Sequence, residues 1–153
     1  MAKPWLAHYP NGVPEFIKPL VYTSLVDFLE QITQKYKGHT AFSHMGLKLG
    51  YSGLEKNSRF FASYLLSLNL ERHSRVAIIL PNCLQYPVVL FGILRAGHIV
   101  VNTNPLYSAR ELKNQLNDSG ATVVVLFESV GRLFESVASQ TAVRHINRKK
   151  KKT

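Results

Sequence analysis

RVAIILPNCLQYPVVLFGILRAGHIVVNTNPLYSARELKNQLNDSGATVVVLF, residues 75–127, decides the fold. Three apolar runs of strand length stand in it: Arg75–Leu80 (RVAIIL), His98–Thr103 (HIVVNT) and Ala121–Phe127 (ATVVVLF). Continuous runs of this kind, rich in Val and Ile, suit strands buried on both faces, as in a parallel sheet. Pro81-Asn82 ends the first run. A helix follows, with Pro87 tolerated in its first turn and Gly97 closing it. Ser108-Ala109-Arg110-Glu111 is a capping box that opens a second helix, which carries Leu112 and Leu116 and ends by Gly120. Beyond the third run, Val130, Leu133, Phe134 and Val137 recur at i, i+3, i+4 and i+7 and predict a third helix. The fold class is therefore α/β, a parallel β-α-β-α-β-α sheet with flanking helices and right-handed crossovers. Ligands gather at the carboxyl ends of such strands. Here those ends are Pro81–Gln85, Asn104–Ser108 and Glu128–Arg132.

Upstream, Pro4, Pro10, Pro14 and Pro19 predict an extended arm over residues 1–22. A helix begins near Thr23 or Ser24, with Leu25, Phe28, Leu29, Ile32 and Tyr36 on one stripe and Gly38 as its stop. Thr40–Met45 and Leu47–Tyr51 flank Gly46 and read as a hairpin or two short strands. Ser52-Gly53-Leu54-Glu55 predicts another capping box, and Phe61, Leu65 and Leu68 carry that helix to about Asn69.

The 153 residues are 46% hydrophobic and 18% charged, an ordinary globular composition for one domain. The net charge is +10, from 19 Lys and Arg against 9 Asp and Glu. Six of those cations lie in the last ten residues: Arg144, Arg148 and Lys149–Lys152. Without them the balance is 13 to 9, or +4, so the body is only mildly basic. The composition divides the chain into the arm at 1–22, the α/β body at 23–143 and a basic, disordered tail at 144–153. Four successive lysines suit the phosphates of acidic lipid or nucleic acid. The tail has no interleaved aromatics for base stacking, which argues against nucleic acid, and a solvated terminus is the plainer reading. The single cysteine, Cys83, forms no intrachain disulfide and fits a reducing compartment. No signal peptide is evident at the start. The uncharged stretch Val76–Leu94 is interrupted at mid-depth by Pro81, Asn82, Gln85 and Pro87, so it reads as two short elements and not a membrane span.

Catalytic motifs are sparse. The six histidines, at 8, 39, 44, 73, 98 and 145, show no metal-ligand pairing and read as isolated surface or edge residues. Gly92–Gly97 (GILRAG) has phosphate-loop spacing, but His98 stands where Lys and Ser or Thr are required, and helix leads to strand. Gly46, Gly50 and Gly53 fit hairpin geometry. No G-x-S-x-G elbow is present. Cys83 lies near a helix start and reads as inert and buried. Glu111 and Asp118 read as solvent-facing helix residues.

Three stretches carry a family resemblance: Val76–Gly97 (VAIILPNCLQYPVVLFGILRAG), Ile99–Tyr107 (IVVNTNPLY) leading into Arg110-Glu111-Leu112, and Gln115–Ala121 (QLNDSGA). With WLAHYPNGVP at 5–14 and YTSLVDFLE at 22–30, the chain resembles the N-terminal part of bacterial long-chain fatty acid–CoA ligases, members of the adenylate-forming superfamily. The resemblance covers about Lys3–Val143 and implies a partial AMP-binding domain. It implies ATP, Mg²⁺ and CoA as cofactors for the full-length family, and long-chain fatty acid and CoA as partners. The Ser/Thr/Gly-rich loop that cradles the triphosphate and the lysine that stabilises the adenylated carboxylate lie downstream of the matched region in that family. No catalytic residue and no metal ligand is therefore assigned. In some relatives the loop after the second strand faces CoA, here Asn104-Pro105-Leu106-Tyr107. A basic residue after the third strand meets a CoA phosphate, and Arg132 is its candidate. Asn104, Pro105, Tyr107 and Arg132 are the candidate cofactor positions. Turn-shaping by Pro105 and Tyr107 and plain exposure of Arg132 are the alternatives.

Two departures stand out. Gly50-Tyr51-Ser52-Gly53 replaces a Thr-Phe/Tyr pair, a change of packing. After Val143, relatives continue with an apolar strand where this chain has RHINRKKKKT, which reads as a premature or shifted frame or a broken gene. The leading expectation is thus a ligase fragment inactive alone and poor at binding these cofactors. The others are a non-catalytic interaction module whose tail touches membrane or nucleic acid, and half of a split ligase completed by a downstream fragment. The expected location is cytoplasmic, with peripheral contact at the inner membrane left open. A sheet cut after three strands is expected to leave an open edge and poor solubility.

Overall fold

The structure, a computed structural model, describes residues 3–19 and 21–149. Helix α1 (Leu25–Lys35) leads to an antiparallel hairpin, β1 (Thr40–His44) and β2 (Leu47–Gly50), and then to α2 (Tyr51–Ser67). From there strand and helix alternate: β3 (Arg75–Ile79), α3 (Gln85–Arg95), β4 (Ile99–Asn102), α4 (Ala109–Ser119), β5 (Val123–Phe127), α5 (Gly131–Ala138) and β6 (His145–Lys149). The last four strands form one parallel sheet in the order β4-β3-β5-β6.

Period-two side-chain alternation divides the apolar runs between two cores. Val76, Ile78, Leu80, Val123 and Val125 face α2 and α3, where Phe61, Leu65, Val89 and Ile93 meet them. Ala77, Ile79, Val124 and Leu126 face α4 and α5, where Leu112, Leu116, Phe134 and Val137 meet them. This is why the strands read as unbroken apolar runs: each face has its own helix layer. Within the first layer α2 and α3 approach closely at Gly92. A Cβ there would stand 2.7 Å from Phe61 Cδ1 and 3.1 Å from the Ser58 carbonyl oxygen. Gly97 turns the chain out of α3 with φ +74°, a backbone region glycine enters freely.

The Ser108 capping box forms as its sequence predicts, with Ser108 Oγ accepting from the Glu111 amide and the Glu111 carboxylate accepting from the Ser108 amide. The Ser52 box does not. Gly50 is the N-cap, and the Tyr51 amide donates to the His39 carbonyl, so the preceding turn satisfies the helix start. Ser52 Oγ instead donates to the Lys37 carbonyl oxygen, 2.7 Å away.

Three further expectations are corrected. The arm is not wholly extended: Pro4–His8 forms a 3₁₀ turn, and Lys3 pairs with Glu15 at 2.8 Å. His98 is not a surface histidine, being only 7% exposed. The tail expected to be disordered contributes a strand, because the amides and carbonyls along the β5 edge pair with it, from Val123↔His145 to Phe127↔Lys149. Arg148 pairs with Glu135 of α5, and Lys149 Nζ stands 5.1 Å from the Phe61 ring centroid. The sheet therefore has four strands and not three. Residues 150–153, the rest of that tail, lie outside the described residues. Among the described residues no helix is long and apolar enough to cross a membrane.

Candidate functional site

Strand order fixes where the topological switch point of the sheet lies. After β3 the chain turns into α3 on one face, whereas after the neighbouring β5 it turns into α5 on the other. Loops that part in this way leave a switch point at the carboxyl ends of the strands. Pro81-Asn82-Cys83-Leu84 and Glu128-Ser129 border it, and the loop after β4 flanks β3 on the far side.

Local hydrogen bonds shape that loop. Asn104 Oδ1 accepts from the Leu106 amide at 3.0 Å, and the Asn104 carbonyl accepts from the Tyr107 amide at 3.3 Å. This turn holds Pro105 half-buried and pushes Leu106 into solvent at 88% exposure. Tyr107 packs onto the core beneath α4 and α5. The capping box at Ser108 then starts α4, and the Ser108 hydroxyl and amide hold the Glu111 carboxyl below its ordinary range. Across β4, the Tyr86 hydroxyl donates to Asn102 Oδ1 at 2.7 Å, and burial pushes that hydroxyl's pKa up.

Arg132 stands exposed in the first turn of α5 and forms no ion pair among the described residues. It shares the carboxyl end of the sheet with Asn104, Pro105 and Tyr107, but β3 lies between their strands, a separation of about 10 Å across two strand spacings. The structure thus brings Asn104, Pro105 and Tyr107 into one turn and does not bring Arg132 against it. Cys83 is half-buried beside the switch point.

The donor set can be tested against nucleotide cofactors. A triphosphate needs a run of free backbone amides from a glycine-rich loop. The loops after β3 and β4 carry Pro81 and Pro105, and the loop after β5 opens on the carboxylate of Glu128. These residues do not fit a triphosphate. Among the described residues no group of three His, Cys, Asp or Glu is placed to hold Mg²⁺. A single phosphate is a smaller demand, and the exposed guanidinium of Arg132, without an ion pair among the described residues, suits one.

Sequence reasoning missed a cluster of basic side chains at the opposite end of the sheet. There Arg72, His73, Arg95 and His98 line a cleft of about 320 Å³. The signal was available in Arg95-Ala-Gly-His98, an arginine and a histidine bracketing a helix stop, with Arg72-His73 bracketing the preceding turn.

Comparison with known proteins agrees with this architecture. The profile of the family described as "AMP-binding enzyme" matches residues 29–153. A long-chain-fatty-acid–CoA ligase of Escherichia coli is 51% identical over 147 residues, 95% of this chain and 26% of that protein. One of Bacillus subtilis is 38% identical over 126 residues, 82% of this chain and 22% of its own length. The crystal structure of a long-chain-fatty-acid–CoA ligase from Archaeoglobus fulgidus superposes with a TM-score of 0.80 at 23% identity, covering 92% of this chain and 30% of that one, and shares its fold. The chain spans about a quarter of the length of the curated relatives it matches. Through the match over residues 29–153, the chain belongs to the AMP-binding enzyme family.

Proposed function

We propose that the chain supplies part of the scaffold of a long-chain fatty acid–CoA ligase. In that reaction fatty acid and ATP, with Mg²⁺, give acyl-adenylate and pyrophosphate, and CoA then displaces AMP to give acyl-CoA. The observation that carries the reading is 51% identity to the Escherichia coli ligase across nearly the whole chain. The donor set argues for the division of labour: the loops described here do not suit a triphosphate, so ATP and metal chemistry fall to residues beyond this quarter of the enzyme. Arg132 is the position proposed to meet a CoA phosphate. The Asn104–Tyr107 turn is proposed to face CoA, with Asn104 and Pro105 setting its shape and Tyr107 anchoring it.

The test is a chimera in which this chain replaces the corresponding quarter of the Escherichia coli ligase, assayed for acyl-CoA formation with a long-chain fatty acid. Activity is expected, with Arg132→Ala raising the KM for CoA and leaving that for ATP. The chain alone should show no fatty-acid-dependent ATP–pyrophosphate exchange. Exchange by the chain alone, or a folded chimera without ligase activity, would overturn the proposal.

A further inference from the structure

The cleft at the amino end of the sheet lies between the turn entering β3 and the turn from α3 into β4. His98 forms its floor at 7% exposure, and neither ring nitrogen has a hydrogen-bond partner among the described residues. Arg95 is equally enclosed, its side chain 6% exposed. Two parts of its guanidinium are fixed: Nη1 donates to Glu30 Oε1 at 2.7 Å and Nε to Ser58 Oγ at 3.1 Å. These bonds set the plane of the group, and Nη2 is left buried with no acceptor among the described residues. Arg72 and His73 stand exposed at the rim. His73 is held there at φ +59°, a left-handed conformation uncommon outside glycine. Among the described residues no carboxylate lines the cleft.

Buried donors without acceptors are unfavourable, and those of a cation more so. A single kind of ligand would satisfy them together. A metal ion is opposed by the two guanidinium groups. An apolar ligand would cover Leu66, Leu70 and Ala96 but leave Arg95 Nη2 unmet. An oxygen-rich anion offers acceptors to every donor and offsets the excess of positive charge, and a guanidinium fixed in plane is well suited to it. We propose that this cleft is an oxyanion site that takes a phosphate or carboxylate group, held by Arg95 and His98 at its floor and Arg72 and His73 at its rim. It lies at the end of the sheet opposite the Asn104–Tyr107 turn and is independent of the ligase reading.

The experiment is a titration of the isotopically labelled full chain with inorganic phosphate, and separately with acetate, at constant ionic strength against chloride. The side-chain nitrogen signals of Arg95, His73 and His98 are followed by NMR. A saturable shift of the Arg95 and His98 signals is expected with at least one anion. Phosphate alone would assign the site to phosphoryl groups, acetate alone to carboxylates. His98→Asn should abolish saturation. Arg72→Gln, at an exposed side chain with no side-chain hydrogen bond among the described residues, should weaken binding about threefold, the effect of one exposed charge. It keeps the test valid if His98→Asn does not fold. Responses no different from chloride, or saturation unchanged in Arg72→Gln, would overturn the proposal.

Discussion

Arg95 of α3 and Glu30 of α1 form an ion pair of 2.7 Å between residues 65 positions apart, with the arginine side chain 6% exposed and the glutamate 45%. Glu30 Oε1 also accepts from Arg59 of α2 at 3.2 Å, so one carboxylate joins three helices. Its partner is buried enough that it cannot turn to water if the pair is broken.

Glu30→Ala should therefore destabilise the chain by about 2 kcal/mol, below the usual loss for a fully buried pair because Glu30 itself is half-exposed. Glu30→Gln keeps an acceptor and should recover part of the loss. Urea unfolding of the three proteins checks both statements, and equal midpoints for all three would show that the pair contributes nothing.

Gly92 sets two effects against each other. Alanine inside a helix gains about 1 kcal/mol over glycine. Here its Cβ would meet Phe61 Cβ at 3.0 Å and the Ser58 carbonyl at 3.1 Å, neither of which moves without α2. Overpacking should win, and Gly92→Ala should lose about 2 kcal/mol net. Gly38→Ala, with nothing within 4 Å, is the control and should change stability by less than about 0.5 kcal/mol.

Burial, reinforced by the charge of His73, holds the His98 pKa below its ordinary value. The unfolded chain then binds a proton near pH 6.5 that folded His98 refuses. Stability is fully present above that pH and falls as pH drops below it, by at most about 1.4 kcal/mol per unit. Denaturation midpoints between pH 7.5 and 5.5 should show the fall, and His98→Gln should flatten it. A wild-type profile that rises on acidification would contradict the assignment.

Deleting residues 144–153 removes β6 and bares the β5 edge along five residue pairs. Loss of that ladder should destabilise the chain by about 3 kcal/mol, counting roughly 1 kcal/mol per hydrogen bond and discounting the solvated edge. The bared strand is also a template for pairing with other chains. Unfolding and light scattering should both register the deletion, and a shortened chain as stable and monodisperse as the whole would refute the estimate.

Legibility followed burial. RVAIIL and ATVVVLF announce themselves as strands because two helix layers demand apolar side chains on both faces of each. HIVVNT, expected to be buried on both faces, is instead the other edge strand, with Ile99 exposed and Val100 and Val101 half-buried, and reads as a strand through its β-branched run. HINRK does not, because β6 is an edge strand whose faces are only partly covered: His145, Asn147 and Lys149 are half-buried and Ile146 and Arg148 exposed. A pairing made by backbone groups leaves little trace in side-chain chemistry, and the lysine run masked what remained. Ser108 was readable as a cap because its bonds are local. Ser52 was not, since the His39 carbonyl that displaces it is thirteen residues upstream in the chain. The Asn104–Tyr107 turn was legible from Asn and Pro. The cluster around His98 was not, because four basic side chains spread over residues 72–98 meet only once α3 folds back along the sheet.

The strand order has a consequence for how the chain comes to be folded. β3 is the first strand of the sheet to be synthesised and lies inside it, yet Val76 waits 47 residues for its partner Val123. Until residue 127 is made, only the β4 side of β3 can pair, and the opposite edge stands open with an apolar run on it. Pairings between such distant residues are slow to form and expose nascent intermediates to aggregation. The interval between the emergence of Leu80 and that of Phe127 is thus when this chain is most vulnerable.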